Sequence, residues 1–341
     1  MNEQNRRLIL GTTLAVGVAA SALLRTKRYD LNGKVTLITG GSRGLGLVLC
    51  REFAKQGAKV AVCARDEGEL IEARDLLANE GHNVTVYRCD VTQREDVRGL
   101  MDRVRMDLGP LDILVNNAGT ISVGPEETMT LSDYSQAMGT HFWGPLYGME
   151  AIIPEMKKQG GGRIVNIASI GGKLPVPHLA PYTASKFALV GLSEALHAEL
   201  ATHGIKVTTV CPGLMRTGSP ENVTFKGQNI KEYRWFTISD SLPGLSISAE
   251  SAAKQIVGAC RRGDAEVVLS LPAKVGAFAY GTFPSLTLRV LRTVARLLPE
   301  TGGVGAAGAS GRESHSGPIT SVLTILTRKA ARKNNELTVA G

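Results

Sequence analysis

Short apolar runs and amphipathic stretches alternate through the middle of the chain. Lys34–Thr39, Ala58–Cys63, Asn83–Tyr87, Asp112–Val115, Arg163–Ala168, Lys206–Cys211 and Glu266–Ser270 are short and rich in Val, Ile and Leu. Runs of that length, bounded by polar residues, read as strands covered on both faces. Helical periodicity fills the gaps, near residues 45–56, 67–80, 93–107, 131–158, 182–202 and 249–260. Parallel strands need a long crossover, and these helices supply it. The pattern therefore predicts an α/β fold, a doubly wound parallel sheet of seven strands with helices on both faces, over residues 31–270.

The two ends depart from this rhythm. Leu8–Leu24 is uncharged and lies between Arg6-Arg7 and the cluster Arg25, Lys27 and Arg28. A helix of that length covers about 26 Å, a little short of a hydrocarbon core of roughly 30 Å. Residues 1–30 read as an apolar anchor segment, with a cleaved signal ending near Ala20-Ser-Ala22 and a twin-arginine export signal as alternatives. The basic cluster after the apolar run favours membrane association with the following domain facing the cytoplasm. At the other end, residues 271–341 form a basic extension. Leu286, Val290, Leu291, Val294, Leu297 and Leu298 share one helical face and Arg289, Arg292 and Arg296 the other. That suits an interfacial helix at an anionic bilayer, or packing on the domain or on a partner subunit. Residues 301–318 read as a flexible linker and Ile319–Lys333 as a short basic amphipathic helix.

Charge follows the same division. The net of +8 resolves into +4 over residues 1–34, +6 over 261–341 and −2 between them. The middle has no basic patch with interleaved aromatics, so nucleic-acid binding is not expected, whereas the ends favour a membrane surface. The five cysteines show no Cys-x-x-Cys pair and read as buried reduced thiols; no metal site is expected.

The chemistry begins after the first strand, in Thr39-Gly-Gly-Ser-Arg-Gly-Leu-Gly46. Gly40, Gly44 and Gly46 let backbone approach a phosphate, Ser42 and Leu45 lie between them, and the next helix offers free N–H groups. Arg43 inside the loop and Arg65 after the second strand suit a ribose 2′-phosphate, with Asp66 one place later. This favours NADP (NADPH) over NAD as cofactor. Further on, Tyr182 and Lys186 stand one helical turn apart, downstream of Ser169.

With these motifs in this order, residues 33–270 resemble the classical short-chain dehydrogenase/reductase superfamily, a Rossmann-type fold; Asn116-Asn-Ala-Gly119 and Pro212-Gly213 with Thr217 add to the likeness. The resemblance implies that Asp90 and Val91 lie toward the adenine, that Asn117, Ala118 and Gly119 border the cofactor, and that Pro212, Gly213 and Thr217 approach the nicotinamide. It also implies a homo-oligomer, dimer or tetramer.

Side-chain chemistry gives the roles. Hydride transfer to a carbonyl carbon leaves an oxygen that needs a proton. Tyr182 is the expected donor, with Lys186 drawing its pKa down from ~10 and holding the cofactor ribose, and Ser169 binding the substrate oxygen. Where the family usually has an Asn that positions a water for the lysine, this chain has His141. An imidazole both donates and accepts and titrates near neutrality, so a relay can survive there; the alternative is a weakened or inactive enzyme. Leu214–Leu245, with Phe225, Tyr233, Trp235 and Phe236, is expected to form a lid.

The expected activity is interconversion of a carbonyl and an alcohol on a small lipophilic substrate at a membrane. A non-catalytic dinucleotide-binding membrane adaptor and a soluble 3-oxoacyl-thioester reductase are the alternatives.

Overall fold

The computed structural model describes residues 28–242, 244–315 and 324–337, so the expected anchor at residues 8–24 lies outside the described residues. Seven strands form the central sheet: β1 Val35–Thr39, β2 Lys59–Ala64, β3 Val84–Arg88, β4 Ile113–Asn116, β5 Gly162–Ile167, β6 Ile205–Pro212 and β7 Glu266–Leu269. All neighbours pair in parallel, in the spatial order β7-β6-β5-β4-β1-β2-β3. These are the seven runs expected from hydrophobicity. Every residue of β1 is buried, as a central strand sandwiched between helices must be.

Helices α1 Gly44–Lys55, α2 Glu67–Asn79, α3 Arg94–Leu108, α4 Leu131–Met138, α5 Gly144–Lys158, α6 Ala180–Leu200 and α8 Ala249–Arg262 flank the sheet, with α7 Asn229–Ser241 above its carboxyl edge. Two apolar clusters fill the two faces. Leu47, Phe53 and Ile256 sit in one, Leu100, Met149 and Val207 in the other. Burying each such side chain contributes about 1.5–3 kcal/mol. The five cysteines are buried free thiols.

The long helix expected over residues 131–158 is interrupted. Residues Gly139–Trp143 form a π-helical turn between α4 and α5. Pro145, lacking an N–H, sits in the first turn of α5, where that loss costs little. The inserted turn brings His141 to the sheet's carboxyl edge, a common use of π-bulges.

A buried polar chain fixes α6 against the sheet. Asn116 Nδ2 donates to Asn166 Oδ1 at 2.8 Å, Asn166 Nδ2 to Ser193 Oγ at 3.0 Å, and Thr209 Oγ1 to Ser193 Oγ at 2.7 Å. In a dry interior such satisfied groups specify one arrangement of the elements they join. Here β4, β5, β6 and α6 are locked in one register.

The extension beyond β7 holds two surprises. At Ser270, which takes φ 77°, the chain turns into a hairpin of α9 Leu271–Thr282 and α10 Pro284–Ala295. No residue of α10 is buried, and Phe278, Leu286 and Leu297 are 69%, 61% and 83% exposed. Residues 301–315, expected as part of a linker, instead pack on the body. Ala309–Ser310 pairs with Thr224–Phe225, which pairs in turn with Ser122–Val123. Their glycines allow it, since Gly303, Gly305 and Gly308 all take positive φ. Of the C-terminal helix expected over Ile319–Lys333, residues 325–333 form α11 Ile325–Lys333, which lies on the body with Thr327 and Ala331 buried; residues 319–323 lie outside the described residues. Among the described residues, no helix is long and apolar enough to cross a membrane.

Candidate active site

Strand order reverses between β1 and β4, and a cavity of about 690 Å³ opens there, beyond the carboxyl ends of the strands. Every candidate residue lines this one cavity: Gly40, Ser42, Arg43, Gly44, Leu45, Gly46, Arg65, Asp90, Val91, Asn117, Ala118, Gly119, His141, Ser169, Tyr182, Lys186, Pro212, Gly213 and Thr217.

The floor is built by close backbone approach. Gly40 takes φ 62°, and a Cβ there would meet Ala118 Cα at 2.7 Å. Thr39 Oγ1 accepts from the N–H groups of Asn117 and Ala118, while Asn117 Nδ2 donates to the carbonyls of Thr39 and Gly40, both at 3.0 Å. The loops after β1 and β4 are thus stitched together. The resulting cradle ends at the amino terminus of α1, where N–H groups that have no partner within the helix and the helix dipole attract anions. A carboxylate, that of Glu336, already faces Gly44, so the chemistry of the cradle fits a dinucleotide's phosphates.

At the cradle's rim, Arg65 is exposed, while Arg43 pairs with Glu69, whose other oxygen accepts from Ser42 Oγ at 2.9 Å. Asp66, which also lines the cavity, caps α2 by accepting from Glu69 N–H with one carboxylate oxygen. Asp90 closes its own turn on Thr92 N–H and Oγ1.

The catalytic candidates stand on the opposite wall. Ser169 ends β5's extension, accepts from Gly171 N–H at 3.0 Å, and lies beside the Tyr182 phenol, whose pKa it draws down. Lys186 is 4% exposed; its Nζ lies 5.6 Å from the Tyr182 ring centre and donates to the carbonyl of Ile167 at 2.8 Å. The expectation that Lys186 lowers the phenol's pKa is corrected. Burial pushes Tyr182 up to about 12, with Ser169 opposing, and burial pushes Lys186 down to about 7. Desolvation penalises phenolate and ammonium alike, and the ammonium is aimed at Ile167 rather than at the phenol oxygen. The folded chain therefore keeps the proton on Tyr182.

The titrating relay expected at His141 is also corrected. Its Nε2 accepts from Thr120 N–H at 3.1 Å, so Nδ1 carries the proton and donates to Ser185 Oγ at 2.8 Å; Ser185 then donates to the carbonyl of Tyr182. Both nitrogens are engaged and burial drives the imidazole well below its usual pKa, with the Lys186 charge adding to this. His141 is a neutral strut between the loop at Thr120 and α6.

Of the segment expected as a lid, Met215, Thr217, Ser219, Asn222 and Val223 line the cavity. Leu214–Arg216 pairs with Ser246–Ser248, and Phe225, Tyr233 and Phe236 are spent in a buried cluster with Val123, Leu179 and Val223, leaving Trp235 half-buried at its edge. Those aromatics pack the cover rather than face a ligand. On α7, Asp240 is buried, and desolvation pushes its carboxyl from 3.8 up to about 7 against the opposing Met215 N–H and Arg216. A raised carboxyl pKa costs nothing below the unfolded value, and the cost is full above the folded one. Asp240→Asn is therefore expected to raise the melting temperature at pH 8 by roughly 5 °C and to change it little at pH 4. Calorimetry at the two pH values checks this.

Sequence reasoning missed Glu69, Thr120, Met215, Asn222, Val223 and Glu336, all of which line the cavity. Glu69 had a signal, as the third residue after the capping Asp66; Glu336 had none.

Known proteins carry the same architecture. The short chain dehydrogenase family model matches residues 34–226. A Mycobacterium tuberculosis protein designated SadH is 36% identical over 248 residues, 72% of this chain and 89% of its own length. A short-chain type dehydrogenase/reductase from Mycobacterium marinum superposes with a TM-score of 0.61 at 31% identity, covering 70% of this chain and 94% of that one. L-sorbose reductase from Gluconobacter frateurii, solved with NADPH and L-sorbose, gives 0.63 at 27%, over 72% of this chain and 97% of that one. With the fold, the cavity and these matches in agreement, the chain belongs to the short-chain dehydrogenase/reductase superfamily and is an oxidoreductase acting on CH–OH groups.

Proposed function

We propose that this protein is an NADP(H)-dependent reductase of a lipophilic carbonyl compound, working beside a membrane surface. The observation that carries the chemistry is the convergence of Ser169, Tyr182 and Lys186 on the cavity that the glycine loop opens into. Gly40, Gly44 and Gly46 would cradle the dinucleotide, Arg43 and Arg65 would meet its 2′-phosphate, and Lys186 its ribose. Bound there, the cofactor supplies or accepts hydride. Tyr182 gives its proton to the oxygen of the reduced carbonyl, while Ser169 donates a hydrogen bond to the same oxygen. The sorbose reductase relative, complexed with NADPH, supports the cofactor reading.

The substrate class rests on α9 and α10. Gly213, in the cavity wall, lies against Ser270 and Ala273 at the root of α9, and α9 packs by Gly276 on Leu174. From that root the hairpin carries Leu271, Val275, Phe278, Phe283, Leu286 and Val290 into solvent, with Lys274, Arg289, Arg292 and Arg296 among them. Exposed apolar area of this extent, edged by cations, suits the interface of an anionic bilayer. Vesicles containing anionic lipid should bind the protein, and the double variant Phe278→Glu/Leu286→Glu should sediment with them several-fold less. The activity itself is tested by NADPH oxidation against a panel of sterol, retinoid and long-chain ketones. Turnover with none of them, although NADPH binds, would leave the adaptor reading in its place.

A further inference from the structure

The cradle proposed for the dinucleotide's phosphates has a ligand from the chain itself. After α11 the backbone turns at Asn335, with φ 56°, and residues 334–336 lie along the glycine loop. Asn334 O accepts from Gly44 N–H at 2.8 Å, and its Nδ2 donates to Thr217 O at 3.3 Å. Asn335 Nδ2 donates to Ser42 O at 3.2 Å. Glu336 puts a carboxylate against Gly44, 3.6 Å from Arg43 Nε, and accepts from Asn222 Nδ2 at 2.6 Å. The segment is held from behind, where Ala331 is buried against Gly218 and Thr327 meets Ser241 at 2.6 Å.

One N–H cannot serve two acceptors of this strength at once, and a 2′-phosphate brought to Arg43 would meet the Glu336 and Glu69 carboxylates. Resting on the cofactor reading above, we propose that residues 334–336 are an internal competitor for the cofactor phosphates, a strap that occupies the cradle and lifts off when the dinucleotide seats. Glu336 is suited to release, since it is 3% exposed and burial raises its pKa to about 7, so that near neutrality its charge is held at a cost.

A competitor that is closed nine-tenths of the time weakens apparent affinity about tenfold. Two variants remove it without altering a cradle residue: Ala331→Arg, whose side chain has no room beside Gly218, and a chain ending after Thr324. Both are expected to bind NADPH about tenfold more tightly than the unaltered protein, by titration calorimetry. In the unaltered protein, hydrogen exchange of residues 325–336 is expected to quicken when NADPH is added. Unchanged or weaker binding in the folded variants, or slower exchange over 325–336, overturns the proposal. Should the variants not fold, the exchange measurement decides alone. NADPH binding to no form of the protein would remove the cofactor reading and this one with it, whereas binding to every form with equal affinity removes only the strap.

Discussion

Tyr182→Phe is expected to cut NADPH-dependent turnover by about 10² to 10⁴ while leaving NADPH affinity within roughly twofold. The substitution deletes one hydroxyl. The ring remains, with its edge-on contact to His141 at 5.3 Å, so the wall of the cavity keeps its shape. What goes is the proton that burial holds on the phenol. No other group can stand in, because His141 has both nitrogens engaged and Lys186 is tied to Ile167. Parallel measurements of steady-state rate and NADPH binding check the prediction. A loss of both together would point to a collapsed site, and a loss of neither would remove Tyr182 from the role of proton donor.

The second large effect is expected at Gly46. Gly46→Ala should lower NADPH affinity by more than about 100-fold or prevent folding. A Cβ at this position would press on the carbonyl of Gly40 and come within 2.6 Å of Asn117 Nδ2. Neither neighbour can retreat, since Asn117 is the stitch that holds the loops after β1 and β4 together. Overpacking of this kind costs about 1–3 kcal/mol even where the surroundings can shift. The control is Gly191→Ala on α6, where an added Cβ meets nothing within 4 Å. There the change should stabilise by about 0.5–1 kcal/mol, through the poorer helix propensity of glycine. Urea unfolding of both variants, with and without NADPH, separates the two cases.

The sheet was legible because strands buried on both faces have to be apolar throughout, and nothing else in a chain of this composition produces seven such runs at crossover spacing. The glycine loop, Ser169, Tyr182 and Lys186 were legible because their spacing ties them to strand ends, which the sheet then gathers at one edge. The acid–base balance was not. Sequence shows that a lysine neighbours a tyrosine, but only the fold shows that the ammonium is turned toward Ile167 and that both groups are dry. Likewise, His141 looked like a titrating group until its depth and its two partners were known. The glycine-rich stretch near residue 305 misled for a related reason. Glycines free of context read as slack, whereas here their positive φ values fit a tight path across Thr224–Phe225. The approach of Glu336 to Gly44 spans nearly the whole chain and has no local signature at all.

That last separation bears on how the protein first matures. A chain made from its amino end completes all seven strands by Leu269, whereas the groups that fill the phosphate cradle, Asn334 to Glu336, are added some sixty-five residues later. Domains can fold as they are synthesised. If the strap acts as proposed, a chain that folds as it is made would pass through an interval in which the cavity is formed and residues 334–336 are not yet added, and a coenzyme arriving then would meet no rival.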